Sequence, residues 1–128
     1  MIEQHYLSKD PWVRVRRCAT ETTAQGWLTI KGKGTLTRPE FEYPIPVEDT
    51  FELARMAKFG RVCKFRRKHG PWEIDEFRGD HAGLWLAEIE LPSEDSVFDK
   101  PEWLGEEVTY DTTFTNAYMA EHGLPPGV

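Results

Sequence analysis

Trp72-Glu73-Ile74-Asp75-Glu76-Phe77 is the stretch that decides the fold, and Ala87-Glu88-Ile89-Glu90-Leu91 echoes it a few residues later. In an extended strand successive side chains point to opposite faces, so residues two apart share one face. Glu73 and Asp75 are therefore expected together, with Ile74 and Phe77 turned away. Glu88 and Glu90 repeat the arrangement, with Ile89 and Leu91 on the opposite side. Adjacent carboxylates on one strand face repel each other unless water, a metal or a base screens them.

The same alternation recurs outward from this stretch. Trp12-Val13-Arg14-Val15-Arg16 puts Arg14 beside Arg16, and Trp27-Leu28-Thr29-Ile30-Lys31 puts Thr29 beside Lys31. Glu40-Phe41-Glu42-Tyr43-Pro44-Ile45 pairs Glu40 with Glu42, and Val62-Cys63-Lys64-Phe65-Arg66 pairs Lys64 with Arg66. A single such strand reads as the wet side of an antiparallel sheet. Charged pairs of both signs, each backed by apolar residues, point instead to one common charged surface. If the sheet closes, that surface lines a barrel and the apolar faces pack outward on helices.

Breakers separate these strands. Ser8-Lys9-Asp10-Pro11, Gly32-Lys33-Gly34 and His69-Gly70-Pro71 read as turns, and 78–83 as a hairpin loop before a last strand over 84–91. Val47 opens a helix with Glu48 and Asp49 in its first turn and Arg55 and Lys58 later, as the macrodipole favours, and Gly60 is expected to end it. Ser93-Glu94-Asp95 can cap a helical turn. Trp103 to Thr109 reads as a covering loop, 113–122 as a short helix stopped by Gly123, and 124–128 as a tail.

Composition narrows the classes. The 128 residues predict one domain, 1–128, with 39% hydrophobic and 30% charged residues. No apolar run approaches the roughly 20 residues of a membrane helix, and Met1-Ile2-Glu3-Gln4 does not open a signal peptide. Cys18 and Cys63 match no metal-ligand spacing and read as reduced thiols of a cytoplasmic protein. The net charge of −6 argues against nucleic acid. Its distribution says more. Residues 1–68 carry fourteen Lys and Arg against eight acids, and 69–128 carry two against fourteen, so the halves stand at +6 and −12. A fold that faces bases toward acids suits a metal-bound polyanion.

In their order these motifs resemble the CYTH family, also called the triphosphate tunnel metalloenzymes. Gln4-His5-Tyr6-Leu7 resembles the family's Gln-Gly-Tyr-Leu strand, followed by the strands quoted above. Trp103-Leu104-Gly105-Glu106-Glu107-Val108-Thr109, Asp111 and Asn116 match its C-terminal motif. The resemblance implies a mainly β, α+β fold: an antiparallel barrel whose tunnel binds a triphosphate or nucleoside triphosphate with Mg²⁺ or Mn²⁺. It implies phosphate contacts from Arg14, Arg16, Lys31, Lys64 and Arg66, metal ligation by Asp75, Glu88 and Glu90, and catalytic roles for Lys64 and Glu42. Charge-assisted bonds from Arg and Lys to phosphate oxygens, and a hard divalent cation on carboxylates, suit that chemistry.

Family members also carry a strand with Glu-x-Glu-x-Lys ahead of the Gln-Gly-Tyr-Leu strand, and these residues do not contain it. The expectation is a barrel short of one stave, with fewer metal ligands and impaired activity. Its open edge is expected beside Gln4–Leu7, covered in a homodimer or by a strand-donating partner. The expected function is a metal-dependent triphosphatase acting on inorganic triphosphate or a relative. The alternatives are an adenylate cyclase of the same fold, separated by cyclic AMP release from ATP, and a non-catalytic nucleotide or polyphosphate binder, separated by binding without turnover.

Overall fold

A computed structural model describes residues 1–33, 39–93 and 95–128. Seven strands form one sheet: β1 (Ile2–Lys9), β2 (Trp12–Ala19), β3 (Ala24–Lys31), β4 (Glu40–Ile45), β5 (Arg61–His69), β6 (Trp72–Arg78) and β7 (Trp85–Ile89). Their order is β4-β3-β2-β1-β5-β6-β7, and every neighbouring pair is antiparallel. The antiparallel, mainly β architecture with few helices is what the alternation implied. Among the described residues β4 and β7 are the edges.

This order corrects one expectation. The strand containing Gln4–Leu7 is central, bonded to β2 on one side and β5 on the other. It has no free edge to offer a partner. The placement follows from the connection after β4. Helix α1 (Val47–Ala54) crosses the sheet over β1, β2 and β3 and delivers the chain to the far side of β1. Gly26 permits the close crossing: a Cβ there would stand 2.6 Å from the Thr50 methyl carbon. The helix ends at Ala54 rather than at Gly60. By Phe59 the backbone is already bonding to β1, with Phe59 N–H donating to Tyr6 O and Tyr6 N–H to Gly60 O, each at 3.1 Å.

The expected helix over 113–122 divides in two. A 3₁₀ turn at Thr112–Phe114 is capped by Asp111, whose carboxylate accepts from Thr113 N at 3.0 Å. Helix α2 (Asn116–His122) then starts at Thr115, whose hydroxyl accepts from Tyr118 N at 3.2 Å. Two such caps in succession cannot sit inside one continuous helix. The hairpin loop between β6 and β7 holds a 3₁₀ turn at Gly79–His81. The turn expected at 32–34 and the cap expected at 93–95 lie partly outside the described residues. Of the covering loop expected over Trp103–Thr109, Trp103 stands edge-on to Trp72 at 5.6 Å between ring centres, joined by Phe98 from outside that span at 5.7 Å, while most of 105–109 is exposed.

The apolar core gathers Val62, Phe77, Leu84 and Met119, with Leu86, Phe114, Ala120 and Leu124 around it. Phe77 was expected away from Asp75 but shares its face. The β5–β6 register runs without a shift from His69↔Trp72 to Cys63↔Arg78, so the two-residue period holds and 73, 75 and 77 stay together. The helices also divide. While α1 lies behind the sheet, α2 covers one end of the charged face through Met119, which is fully buried.

Candidate active site

Residues directly opposite in a ladder share a face, so the register reconstructs the charged surface. Arg14 opposes Tyr6 and Thr29, and Thr29 opposes Glu42. Arg16 opposes Gln4, which opposes Val62 on β5, and Lys64 and Arg66 continue that parity. Arg66 opposes Asp75, and Glu73 opposes Glu88. Lys31 closes the row at the end of β3, opposite Glu40. The structure therefore brings Arg14, Arg16, Lys31, Lys64, Arg66, Glu42, Asp75 and Glu88 to one face of one sheet.

The centre of this face is buried rather than wet. Lys64 is 2% exposed, Asp75 3% and Gln4 0%. Lys64 Nζ lies 2.8 Å from Asp75 Oδ2 and donates to Asn116 Oδ1 of α2 at 3.4 Å. Arg66 grips the same carboxylate with two bonds, Nε to Oδ1 at 2.8 Å and Nη2 to Oδ2 at 3.0 Å, and its Nη1 reaches Glu73 at 2.9 Å. Burial would raise the Asp75 pKa, but bonds from Arg66 and Lys64 outweigh it and hold the carboxyl below its usual range. Burial pulls the Lys64 ammonium down despite Asp75, helped by Arg66 and Arg16. The bond to Asp75 raises Arg66.

Arg14 and Arg16 have no carboxylate within ion-pair distance among the described residues. Arg16 is held by Gln4, whose Oε1 accepts from Nε at 2.9 Å and Nη2 at 2.8 Å. Burial and the neighbouring Arg14 charge lower its pKa, and Arg66 adds to this. Arg14 Nη2 reaches only Thr29 Oγ1, at 3.5 Å. Arg14 Nε and Gln4 Nε2 are buried without an acceptor among the described residues. Buried donors nearly always find one, so these two stand out on this face.

The acids are arranged less tightly than the sequence suggested. Asp75, Glu88 and Glu90 are not drawn into one cluster: no group of three acid, His or Cys side chains able to hold a metal occurs among the described residues. Asp75 is already bonded to two cations, Glu88 faces Glu73 rather than Asp75, and Glu90 lies exposed beyond the end of β7. Glu42 sits on the edge strand β4, exposed. Two residues of this face were missed from the sequence. Glu73 was read only as the repulsive neighbour of Asp75, and Gln4 only as part of a motif. Gln4 standing between Ile2 and Tyr6 on one face of its strand was the available signal.

The CYTH domain pattern matches residues 3–116. An inorganic triphosphatase of Acetivibrio thermocellus is 40% identical over 123 residues, 91% of this chain and 76% of that one. An inorganic triphosphatase of Nitrosomonas europaea is 36% identical over 116 residues, 84% of this chain and 74% of that one. A crystal structure of a hypothetical protein superposes with a TM-score of 0.71 at 30% identity, covering 97% of this chain and 86% of that one. With the ordered strands, the one-sided charge and the matched sequence taken together, the chain belongs to the CYTH domain family.

Proposed function

We propose that this protein hydrolyses inorganic triphosphate on the charged face of its sheet. The observation that carries the reading is the cationic surplus at Arg14 and Arg16, two guanidiniums that among the described residues have no carboxylate partner, with Arg14 Nε and the neighbouring Gln4 Nε2 buried without an acceptor. A polyanion with oxygens along its length complements that surface. The names of the two triphosphatase relatives support this substrate class.

In this reading Arg14, Arg16 and Arg66 hold the phosphate oxygens, with Lys31 at the rim. Water attacks the terminal phosphorus, the bridging P–O bond breaks, and orthophosphate and pyrophosphate leave. In this reading Glu42, opposite Thr29 and on the same face as Arg14, takes the proton of the attacking water. In the same reading Lys64, the buried ammonium between Asp75 and Asn116, gives a proton to the departing pyrophosphate oxygen.

The donor set suits a magnesium or manganese ion that arrives on its substrate. Such an ion needs only one or two carboxylates plus phosphate oxygens, and Glu88 opposite Glu73 offers that much. Glu88, with Glu73 opposite it, would hold it, and it would neutralise charge on the phosphate oxygens.

The test is phosphate release from inorganic triphosphate with Mg²⁺ and with Mn²⁺. Orthophosphate and pyrophosphate are expected, with loss of turnover in chelator and no change in melting temperature. Glu88→Gln with Glu90→Gln should remove the metal dependence and leave the fold intact. No phosphate release with either metal would overturn the reading.

A further inference from the structure

The Gln4 carboxamide is fully buried on the charged face and its orientation is chemically forced. Its carbonyl accepts two hydrogen bonds from Arg16. A flipped amide would press its NH₂ group against guanidinium N–H donors, leaving no acceptor between them. Nε2 must therefore point away from Arg16, and there it meets no acceptor among the described residues. The groups of the surrounding face, Arg14, Lys64 and Arg66, are donors as well, and the one buried carboxylate among them, Asp75, is held by Lys64 and Arg66. The Tyr6 and Thr29 hydroxyls of this face do not accept from Nε2 either, so its acceptor has to come from outside the protein.

We propose that Gln4 is a substrate-binding residue with two duties: its carbonyl fixes the Arg16 fork, and its N–H donates to an oxygen of the bound triphosphate. The neutrality of the side chain matters. A carboxylate at this position would accept from Arg16 equally well, but it would neutralise the guanidinium and repel the anion. An apolar side chain would leave Arg16 unoriented. An amide is the group that orients the cation without cancelling its charge and still presents a donor. This assignment rests on the triphosphatase reading of the same face.

Two measurements test it, both with inorganic tripolyphosphate in metal-free buffer. In a binding titration Gln4→Met and Gln4→Glu should each lose about ten- to a hundredfold in affinity, the factor for a bond to a charged group. The second measurement needs no variant to fold. The chain has two glutamines, Gln4 and the exposed Gln25, so the side-chain amide spectrum contains its own reference. The Gln4 amide signal should move on adding tripolyphosphate and the Gln25 signal should not. Saturation by tripolyphosphate with an unmoved Gln4 amide, or wild-type affinity in both variants, would overturn the role of Gln4 and leave the triphosphatase reading standing. Failure of the wild-type protein to bind tripolyphosphate would overturn both.

Discussion

Two acid–base clusters stand on opposite sides of the same sheet, built from the same residue types, and they behave as different objects. On the charged face Asp75 joins Lys64 and Arg66, with Arg14, Arg16 and Gln4 beyond them. On the back, under α1, Glu3 joins Arg17 and approaches His5, and the Arg17 guanidinium lies over the Phe51 ring at 4.7 Å. The back cluster is nearly balanced, partly exposed and satisfied by its own members. The cavity it lines with Val15 and Thr50 holds about 30 Å³, room for a water and not for a polyanion. The front cluster is fully buried only at its centre, Lys64 with Asp75 and Gln4, and among the described residues it carries more cations than it pairs. Arg16 and Arg17 differ by one position in the chain, and the strand pleat turns one to the charged face beside Gln4 and the other to an ion pair with Glu3 on the back.

The largest expected contrast is at the acids. Asp75→Ala leaves the buried Lys64 ammonium without its counter-ion and should cost about 3–5 kcal/mol, while Glu3→Ala should cost no more than about 1 kcal/mol. Urea unfolding of both variants measures this. Equal losses would erase the distinction between the faces. The Asp75 contribution also has a defined pH window. Its folded pKa lies below the unfolded value of about 3.9, so the stability is present above that pH and disappears as pH falls through the folded value.

Next comes the neighbouring arginine pair. Arg16→Ala should weaken tripolyphosphate binding by about 1.5–3 kcal/mol, and Arg17→Ala should leave binding unchanged. Arg66→Ala should resemble Arg16→Ala, and Arg55→Ala, just past α1, should resemble Arg17→Ala. A calorimetric titration that ranks all four alike would break the assignment of faces.

The smallest effect is a pH slope from the back cluster. Burial holds the His5 pKa below the usual 6.5, helped by Arg61 and Arg17 and opposed by Glu3. The unfolded chain then binds the proton more readily, so stability should fall as pH drops below about 6.5 and level off below the folded value. Melting temperatures between pH 8 and 5 should show a shallower slope for His5→Asn than for wild type. An unchanged slope would remove His5 from the account.

Alternation along each strand was legible in the sequence, because a side chain's face is set by the local pleat with a period of two. That period put Arg14 beside Arg16, Lys64 beside Arg66 and Glu73 beside Asp75 before any strand had a neighbour. It also located most strands, and charge placement and glycine stops located both helices, although cap chemistry at Thr115 and the early pairing of Phe59 moved the helix ends. The sequence could not say which strands meet. Pairing depends on residues far apart in the chain, and only the crossing of α1 over Gly26 makes Gln4–Leu7 a central strand between β2 and β5. That neighbourhood decided the rest. It placed Lys64 and Arg66 against Asp75, took that carboxylate away from Glu88 and Glu90, and set Gln4 against Arg16 with its amide N–H left over. Charge and parity are properties of a strand, whereas burial and partner choice arise only where strands meet.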